Sequence, residues 1–231
     1  MSTSRDRLIE AAFDLFDERG FGETTVDDVA ERAGLGRTTF FRAFGSKEDV
    51  IFPDHAAVIA ALRDRLATAT ALTAPVAVTE AARLVLRHYL AEGKRARIRY
   101  RLTRSVPALR AREIASQQQY QQTFRTFLHD WMGGGSDSAL RAELMANAVV
   151  TAHNHVLRRW LRGEVTGDAL ETEFDQAMAD VLHLFAPSRS TDGGGQEASL
   201  VVLRTTRSLD DLLPALRELA DAETIPLTTE P

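Results

Sequence analysis

Apolar residues recur every three or four positions along most of this chain, a spacing that favours amphipathic α-helices over strands. Leu8, Ala12, Leu15 and Phe16 begin the pattern, and their helix is expected to end near Gly20. Further helices are predicted over 76–92, 94–104, 108–131, 138–163 and 167–186, separated by glycines or by a proline. Few strand signals compete over residues 1–186, so the sequence predicts an all-α fold.

Several classes of protein are excluded by what the sequence lacks. The 231 residues include no cysteine, so disulfides, thiolate zinc sites and cysteine nucleophiles cannot occur. No apolar signal core or run of the roughly 18 apolar residues that span a bilayer is present, so a cytoplasmic protein without a membrane partner is expected. His153 and His155 would point about 200° apart on a helix, so they cannot share a metal ion. With no catalytic or phosphate-cradling motif and no paired Glu-x-x-His, neither an enzyme nor a cofactor is predicted.

The segment TTVDDVAERAGLGRTTFFRAFGSKEDVI, residues 24–51, carries the strongest functional signal. Thr25 and Asp28 form a capping-box pattern for a helix that ends at Gly34. A second short helix is expected from about Arg37 to Phe44, with a small, polar first turn that suits contact with base edges. Two short helices joined by a tight glycine turn predict a helix-turn-helix, whose second helix can lie in a major groove. Ser46–Asp49 is expected to cap a longer helix that continues toward residue 70.

Residues 5–52 resemble the DNA-binding domain of the tetracycline-repressor (TetR) family. The residues that match in register are Thr25-Val26-Asp27-Asp28-Val29-Ala30, Ala33-Gly34, Thr39-Phe40, Phe44 and Ser46-Lys47-Glu48. The resemblance implies a homodimeric transcriptional regulator, of the kind in which a small molecule releases a repressor from a palindromic double-stranded DNA operator. It implies a three-helix DNA-binding head at 1–52 and a ligand-binding and dimerisation domain at 53–186. The positions where the family contacts DNA correspond here to Thr25, Arg37, Thr38, Thr39, Phe41, Arg42 and Lys47.

The chain departs from the family pattern at three positions. Gly36 stands where a serine often caps the recognition helix, and glycine is a weaker cap. Phe41 replaces a tyrosine that can bind phosphate, and Ala43 replaces an aromatic residue or histidine. Phosphate contacts are therefore expected to depend on arginines, Lys47 and backbone amides, with more salt-sensitive binding. The alternative, a helical protein-interaction module without DNA binding, leaves the polar turn and the basic rim of residues 37–47 unexplained.

Charge is distributed unevenly around the net value of −5. Residues 1–50 hold seven basic and eleven acidic side chains, whereas residues 83–112 hold ten basic side chains and one acidic one. Arginine forks bind phosphates, and an apolar cavity behind them would take an acyl tail, so an anionic amphiphile such as acyl-CoA is the predicted effector. The segments 37–44 and 100–114 are also similar to a TetR branch thought to respond to such ligands. The alternative is that these arginines pair with the acidic region 113–231, or steer DNA.

The predicted helices 138–163 and 167–186 are apolar on more than one side. They are expected to pair with their symmetry mates as a four-helix bundle, the alternative being burial within one subunit. The predicted helix 108–131 carries two glutamines in an otherwise apolar stripe, which a ligand cavity would explain. The alternative is a buried face of aromatic residues that leaves both glutamines in water. The predicted effector-binding residues are Arg101, Arg104, Gln117, Tyr120, Gln121, Phe124 and His153.

Residues 187–231 are predicted to be a linker followed by a C-terminal extension. The linker ends near Gln196, and the extension contains a strand-like run at 200–203 and a helical pattern at 208–222 that Pro214 interrupts. The strand-like run is expected to pair across the dimer or to pack on the ligand domain. Partial disorder is the alternative.

Overall fold

The computed structural model describes residues 3–52 and 55–186. All regular elements in these ranges are helical, which confirms the prediction of an all-α fold. The α-helices are α1 (Ser4–Arg19), α2 (Val26–Arg32), α3 (Arg37–Ala43), α4 (His55–Ala67), α5 (Ala74–Glu92), α6 (Lys94–Ser105), α7 (Pro107–Trp131), α8 (Ser136–Leu161) and α9 (Asp168–Leu184), with a 3-10 helix at Glu48–Val50. The predicted linker, strand and helix beyond residue 186 lie outside the described residues.

The prediction of one helix from Ser46 toward residue 70 is wrong. Ser46 and Asp49 form a capping turn, in which the Ser46 amide donates to the Asp49 carboxylate at 2.7 Å, but this turn begins only the 3-10 helix. The next helix, α4, begins at His55. Pro53 lies between the two elements in the sequence, and a proline disfavours the helical conformation at the residue that precedes it.

The first three helices and the 3-10 helix form the part of the molecule that we call the head. Capping boxes start α1 and α2, where Thr3 pairs with Asp6 and Thr25 with Asp28. Gly34 turns the chain from α2 to α3 with a φ of +63°, and a Cβ there would lie 3.0 Å from a guanidinium nitrogen of Arg7. The positive φ favours glycine at this position, and any larger residue would also have to displace the Arg7 guanidinium.

The core of the head extends beyond its own residues. Phe13, Phe16, Phe40 and Phe44 form its aromatic centre, and Ile98 and Leu102 of α6, together with Leu109 of α7, complete the same buried cluster. Helix α6 therefore belongs to two cores, because its Ala96 packs in the separate cluster formed by α4, α5, α7, α8 and α9. We call α4–α9 the body.

The body is a bundle in which α8 packs between α7 and α9. Ion pairs between helices add to its apolar core: Arg83 of α5 reaches the carboxylates of Glu171 and Asp175 on α9 at 2.5 Å each and lies over the Phe174 ring. Part of the basic run 83–112 thus pairs with the acidic C-terminal helices. Other members of the run reach the head, where Lys94 and Arg101 both bind Asp17, and Arg112 binds Asp49.

Candidate functional site

Helix α3 presents most of its side chains outward. Phe40 is fully buried and fixes the helix against α1 and α2, whereas Arg37, Thr38, Phe41 and Arg42 are exposed and Thr39 is half-buried. Phe41 keeps 45% of its surface exposed, which is unusual for so large an apolar side chain. A seven-residue helix anchored by one phenylalanine thus offers a surface of hydroxyl, guanidinium and aromatic groups.

Three of the predicted DNA-contact residues, Arg37, Thr25 and Lys47, already have partners within the head. Arg37 forms an ion pair with Asp27 of α2 at 2.6 Å and lies over the ring of Phe41, with its guanidinium carbon 5.2 Å from the ring centroid. The Thr25 hydroxyl donates to the Asp28 carboxylate at 2.6 Å and accepts from the Asp28 amide at 3.2 Å. Hydrogen bonds from the Thr25 side chain and backbone, and then from Arg19, lower the pKa of Asp28 to about 2.

Lys47, a DNA-contact position by the family resemblance, bonds back onto the head. Its ammonium donates to the carbonyl oxygens of Phe21 and Thr24, at 2.6 Å each, and lies 4.1 Å from the centroid of the Phe21 ring. Partial desolvation lowers its pKa. The side chain therefore ties the start of the 3-10 helix to the turn between α1 and α2, and two of its three donors are occupied. By contrast, Arg42 forms no ion pair or hydrogen bond with any described residue.

A cavity of about 470 Å³ lies in the body, walled by α5, α6, α7 and α8. That volume is in the range of small-molecule sites, about 300–1,000 Å³. Its apolar walls are supplied by Phe52, Ala82, Val85, Ala96, Ile114, Phe124, Val150, Leu157 and Leu161. Its polar lining includes the hydroxyls of Tyr89, Thr103, Ser116 and Tyr120 and the side chains of Gln117, His153 and Asn154. The cavity can therefore hold a molecule with both apolar and polar parts.

Five of the seven predicted effector-binding residues line this cavity: Arg104, Gln117, Tyr120, Phe124 and His153. The other two, Arg101 and Gln121, lie outside the cavity lining. Arg101 is turned toward the head, where it binds Asp17, and Gln121 donates to the amide oxygen of Asn147 on α8 at 2.8 Å. Gln117 and Gln121 lie one helical turn apart, so the helical spacing does not show which of the two side chains lines the cavity.

His153 is a buried, neutral group of the cavity wall. Burial lowers its pKa to about 4. Its Nδ1 lies 3.1 Å from the Asn154 amide oxygen, its ring meets Phe174 edge-on, and its Nε2 has no hydrogen-bond partner among the described residues. His155 is exposed, so the two imidazoles lie on different sides of α8, as the helical spacing predicts.

Arginines cluster at the exposed end of the cavity. Arg104, Arg110, Arg158 and Arg162 contribute to its lining, against the single carboxylate of Glu113. Of these, only Arg162 pairs with an acid in the described residues, Glu164 at 3.4 Å. Arg104 and Arg162 both donate to the Tyr100 hydroxyl, at 3.0 and 3.2 Å. Partial burial raises the pKa of Tyr100, but these two hydrogen bonds outweigh it and the net pKa is lowered.

The sequence interpretation missed three of these basic residues. Arg110 was recognised only as part of the basic run, and Arg158 and Arg162 of the α8 C-terminus were not considered. Their signal is the cluster RRWLR at 158–162, in which positions 158 and 162 share one helix face. That face meets the cavity because α8 packs directly against α7.

The outer surface of the body carries exposed leucines on its last two helices. Leu140 and Leu144 of α8 are 67% and 53% exposed, and Leu184 of α9 is 74% exposed. Arg141 donates to the Phe185 carbonyl oxygen at 2.7 Å, so the start of α8 lies beside the end of α9. Val149, Val156 and Trp160 of α8 are buried within the subunit, whereas Ala148, Ala152 and Leu161 are half-buried. None of the described helices is both long and apolar enough to span a bilayer.

Comparison with known proteins identifies the head. Residues 8–52 match the model of the bacterial regulatory proteins of the tetR family. Over 183 residues the chain is 27% identical to MftR, a mycofactocin biosynthesis transcriptional regulator of Mycobacterium tuberculosis, covering 75% of this chain and 89% of that protein. It is 28% identical to the HTH-type transcriptional regulator TcmR of Streptomyces glaucescens, covering 76% of this chain and 81% of that protein.

The fold of the whole helical region has solved counterparts. Thermus thermophilus FadR, a TetR-family transcriptional repressor crystallised with lauroyl-CoA, superposes with a TM-score of 0.54 at 22% identity, covering 83% of this chain and all of that one. The similar proteins are regulators and not enzymes, in agreement with the prediction from the sequence. Residues 8–52 therefore form a helix-turn-helix domain of the tetR type, and most of the chain is similar to transcriptional regulators that carry such a domain.

Proposed function

We propose that this regulator is a repressor that binds a palindromic operator as a homodimer and is released by an anionic amphiphile, with acyl-CoA as the first candidate. The observation that carries the proposal is the joint presence of the outward surface of α3 and a cavity rimmed by four arginines, of which only Arg162 pairs with a carboxylate among the described residues. In this proposal residues 1–52 read DNA, residues 53–186 bind the effector and dimerise, and the protein acts in the cytoplasm.

The DNA-contacting residues we propose are Thr25, Arg37, Thr38, Thr39, Phe41, Arg42 and Lys47. Thr39 and Arg37 are assigned to base edges because they lie in the first turn of α3. Arg37 must break its ion pair with Asp27 before it can contact DNA. The guanidinium of Arg42 forms no ion pair with a described residue, so it has none to break. Lys47 also holds the turn that precedes α2, and the third donor of its ammonium is the one assigned to DNA. The two recognition helices of a dimer would address half-sites about 34–36 Å apart.

Removing Arg42 should weaken binding to every DNA sequence about equally. We expect Arg42→Ala to reduce the salt slope of binding by roughly 1, because one phosphate contact and its released counterion are lost. The measurement is a gel shift with DNA that flanks the protein's own gene, at several salt concentrations. Arg63→Ala removes an exposed arginine of α4 and is the matched control, with an unchanged slope. A change of base preference in Arg42→Ala with an unchanged slope would contradict this assignment.

The cavity supports an amphiphilic effector by its chemistry. Arginine forks at the rim suit phosphate or carboxylate groups, and the side chains of Val85, Phe124, Val150 and Leu157 provide apolar walls. In the structure of the FadR relative, the bound molecule is lauroyl-CoA. The polar groups inside the cavity, including the unpaired Nε2 of His153, favour a ligand that carries a carbonyl or hydroxyl group.

Lauroyl-CoA should release the protein from operator DNA at lower concentration than lauric acid or CoA alone. The reason is that only the thioester joins a phosphate-bearing group to an apolar tail, so it alone can engage the rim and the walls together. The experiment is a DNA-release titration with the three compounds, followed by fluorescence anisotropy of a labelled operator. Equal potency of the free acid would remove the role of the phosphates. Operator binding that none of the three compounds affects would overturn the effector assignment and leave the DNA-binding function standing.

A further inference from the structure

Arg99 is a buried arginine that touches both the cavity and the head. Only 5% of its surface is exposed, and it lies on the cavity wall contributed by α6. Its Nε donates to the carbonyl oxygen of Ile51, the residue that follows the 3-10 helix of the head, at 2.5 Å. A charged group buried this deeply is uncommon unless it is paired. The contact with Ile51 is therefore one of the interactions that satisfy this buried guanidinium.

The pairing of Arg99 leaves part of its guanidinium available. Nη1 and Nη2 donate to the two oxygens of Glu92, at 2.6 and 2.5 Å, and with the Nε bond this accounts for three of five N–H groups. The guanidinium lies between the rings of Phe13 in α1 and Tyr89 in α5, 5.9 and 5.8 Å from their centroids. Two N–H groups thus have no acceptor among residues 3–52 and 55–186, and Tyr89 belongs to the cavity lining.

The residues around Arg99 on α6 contact both the head and the cavity of the body. On α6, Ile98 and Leu102 are buried in the head core, while Ala96, Tyr100 and Thr103 line the cavity. Arg101 also binds the head, through Asp17, but it does not reach the cavity. Arg99 alone among the basic residues of α6 combines a cavity position with a bond to the head.

We propose that Arg99 couples effector binding to the position of the DNA-reading head. This inference rests on the proposed function. An anionic or carbonyl group in the cavity accepts from the free N–H groups of Arg99 and draws the guanidinium inward. The Nε bond to Ile51 is then lost, and the segment between α3 and α4 loses its anchor. Glu92 keeps the charge neutralised in both positions, because it ends α5, is only slightly exposed and pairs with the Arg99 guanidinium through both of its oxygens.

The test compares operator affinity with and without saturating lauroyl-CoA. Wild type should show a ratio in the range typical of allosteric coupling, roughly 5- to 150-fold. In the double variant Arg99→Met, Glu92→Gln, which buries no unpaired charge, the ratio should fall below about twofold, while calorimetry still detects saturable binding of lauroyl-CoA. Arg99→Lys should give an intermediate ratio, because lysine retains the charge but loses the planar fork. Arg97→Met, on the same helix and stacked on Trp160, is the matched control and should retain the wild-type ratio.

A second measurement tests Arg99 without an effector. Hydrogen exchange of a peptide spanning residues 44–52 should be at least fivefold faster in the double variant than in wild type or Arg97→Met, because the anchor of Ile51 is missing. If the wild type responds to lauroyl-CoA and the double variant keeps its full ratio, the coupling role of Arg99 is wrong. If operator binding by the wild type does not respond to lauroyl-CoA, the effector assignment fails. In that case the exchange data alone judge the contact between Arg99 and Ile51. Unchanged hydrogen exchange in the double variant would show that Arg99 does not anchor Ile51, and faster exchange would show that it does.

Discussion

Replacing Leu144 with arginine should produce a monomer that has lost most of its affinity for operator DNA. Leu144 and Leu140 expose more than half of their surfaces on α8, and Leu184 does so at the adjoining end of α9. In the proposed dimer these leucines would be covered by the same face of a second copy, as an isologous interface requires. A buried, unpaired arginine would disfavour that association strongly.

The expected loss of operator affinity is large because the two heads would no longer bind as one unit. Linking two binding modules raises affinity by about 10²- to 10⁴-fold, and a monomer would forfeit this gain. Light scattering after size-exclusion chromatography would give the mass, and gel shifts the affinity. Leu72→Arg is the matched control, since Leu72 is 78% exposed in the loop between α4 and α5. A dimeric Leu144→Arg protein with wild-type operator affinity would contradict the proposed interface.

The secondary structure was largely accessible from the sequence because local signals determined it. The capping pairs Thr3–Asp6 and Thr25–Asp28 and the glycine at 34 set the ends of the first helices by contacts within a few residues. The five helices predicted after residue 75 agree with the observed bounds to within two residues at each end. The error at 46–70 arose from giving the cap at Ser46 more weight than Pro53, although the proline is equally visible.

The interaction partners of the basic side chains could not be predicted from the sequence. Arg99, Arg101 and Arg104 occupy one short helix, yet the first joins the cavity to the head, the second binds Asp17, and the third lies at the cavity rim. Helical spacing gives their relative directions but not which neighbour lies in each direction. Arg83 pairs with α9, as the ion-pair interpretation expects, whereas Arg104 and Arg110 line the cavity, and their role in effector binding stays a prediction. Tertiary packing decides which neighbour each side chain meets.

The largest effect on stability is expected from Phe40→Ala. Phe40 is fully buried, and its ring lies 5.6 Å from that of Phe44 and 5.5 Å from that of Phe41. Truncation of a buried phenylalanine costs about 3–5 kcal/mol, against a total of about 5–15 kcal/mol for a typical domain. Helix α3 has only seven residues, too few to be stable without tertiary contacts. We therefore expect this helix to lose its fixed position and operator binding to disappear.

Phe41→Ala provides the matched comparison, because it removes the same ring from the next position of the same helix. Phe41 is 45% exposed, so its loss should change the free energy of unfolding by no more than about 0.5–1 kcal/mol, while removing a proposed DNA contact. Urea unfolding and hydrogen exchange of residues 35–45 would separate the two variants: only Phe40→Ala should lower the midpoint strongly and expose the amides of α3. The body core contains neither residue, and its amides should remain protected in both variants. Similar unfolding midpoints for the two variants would mean that Phe40 does not fix α3. The position of this helix would then depend on other contacts.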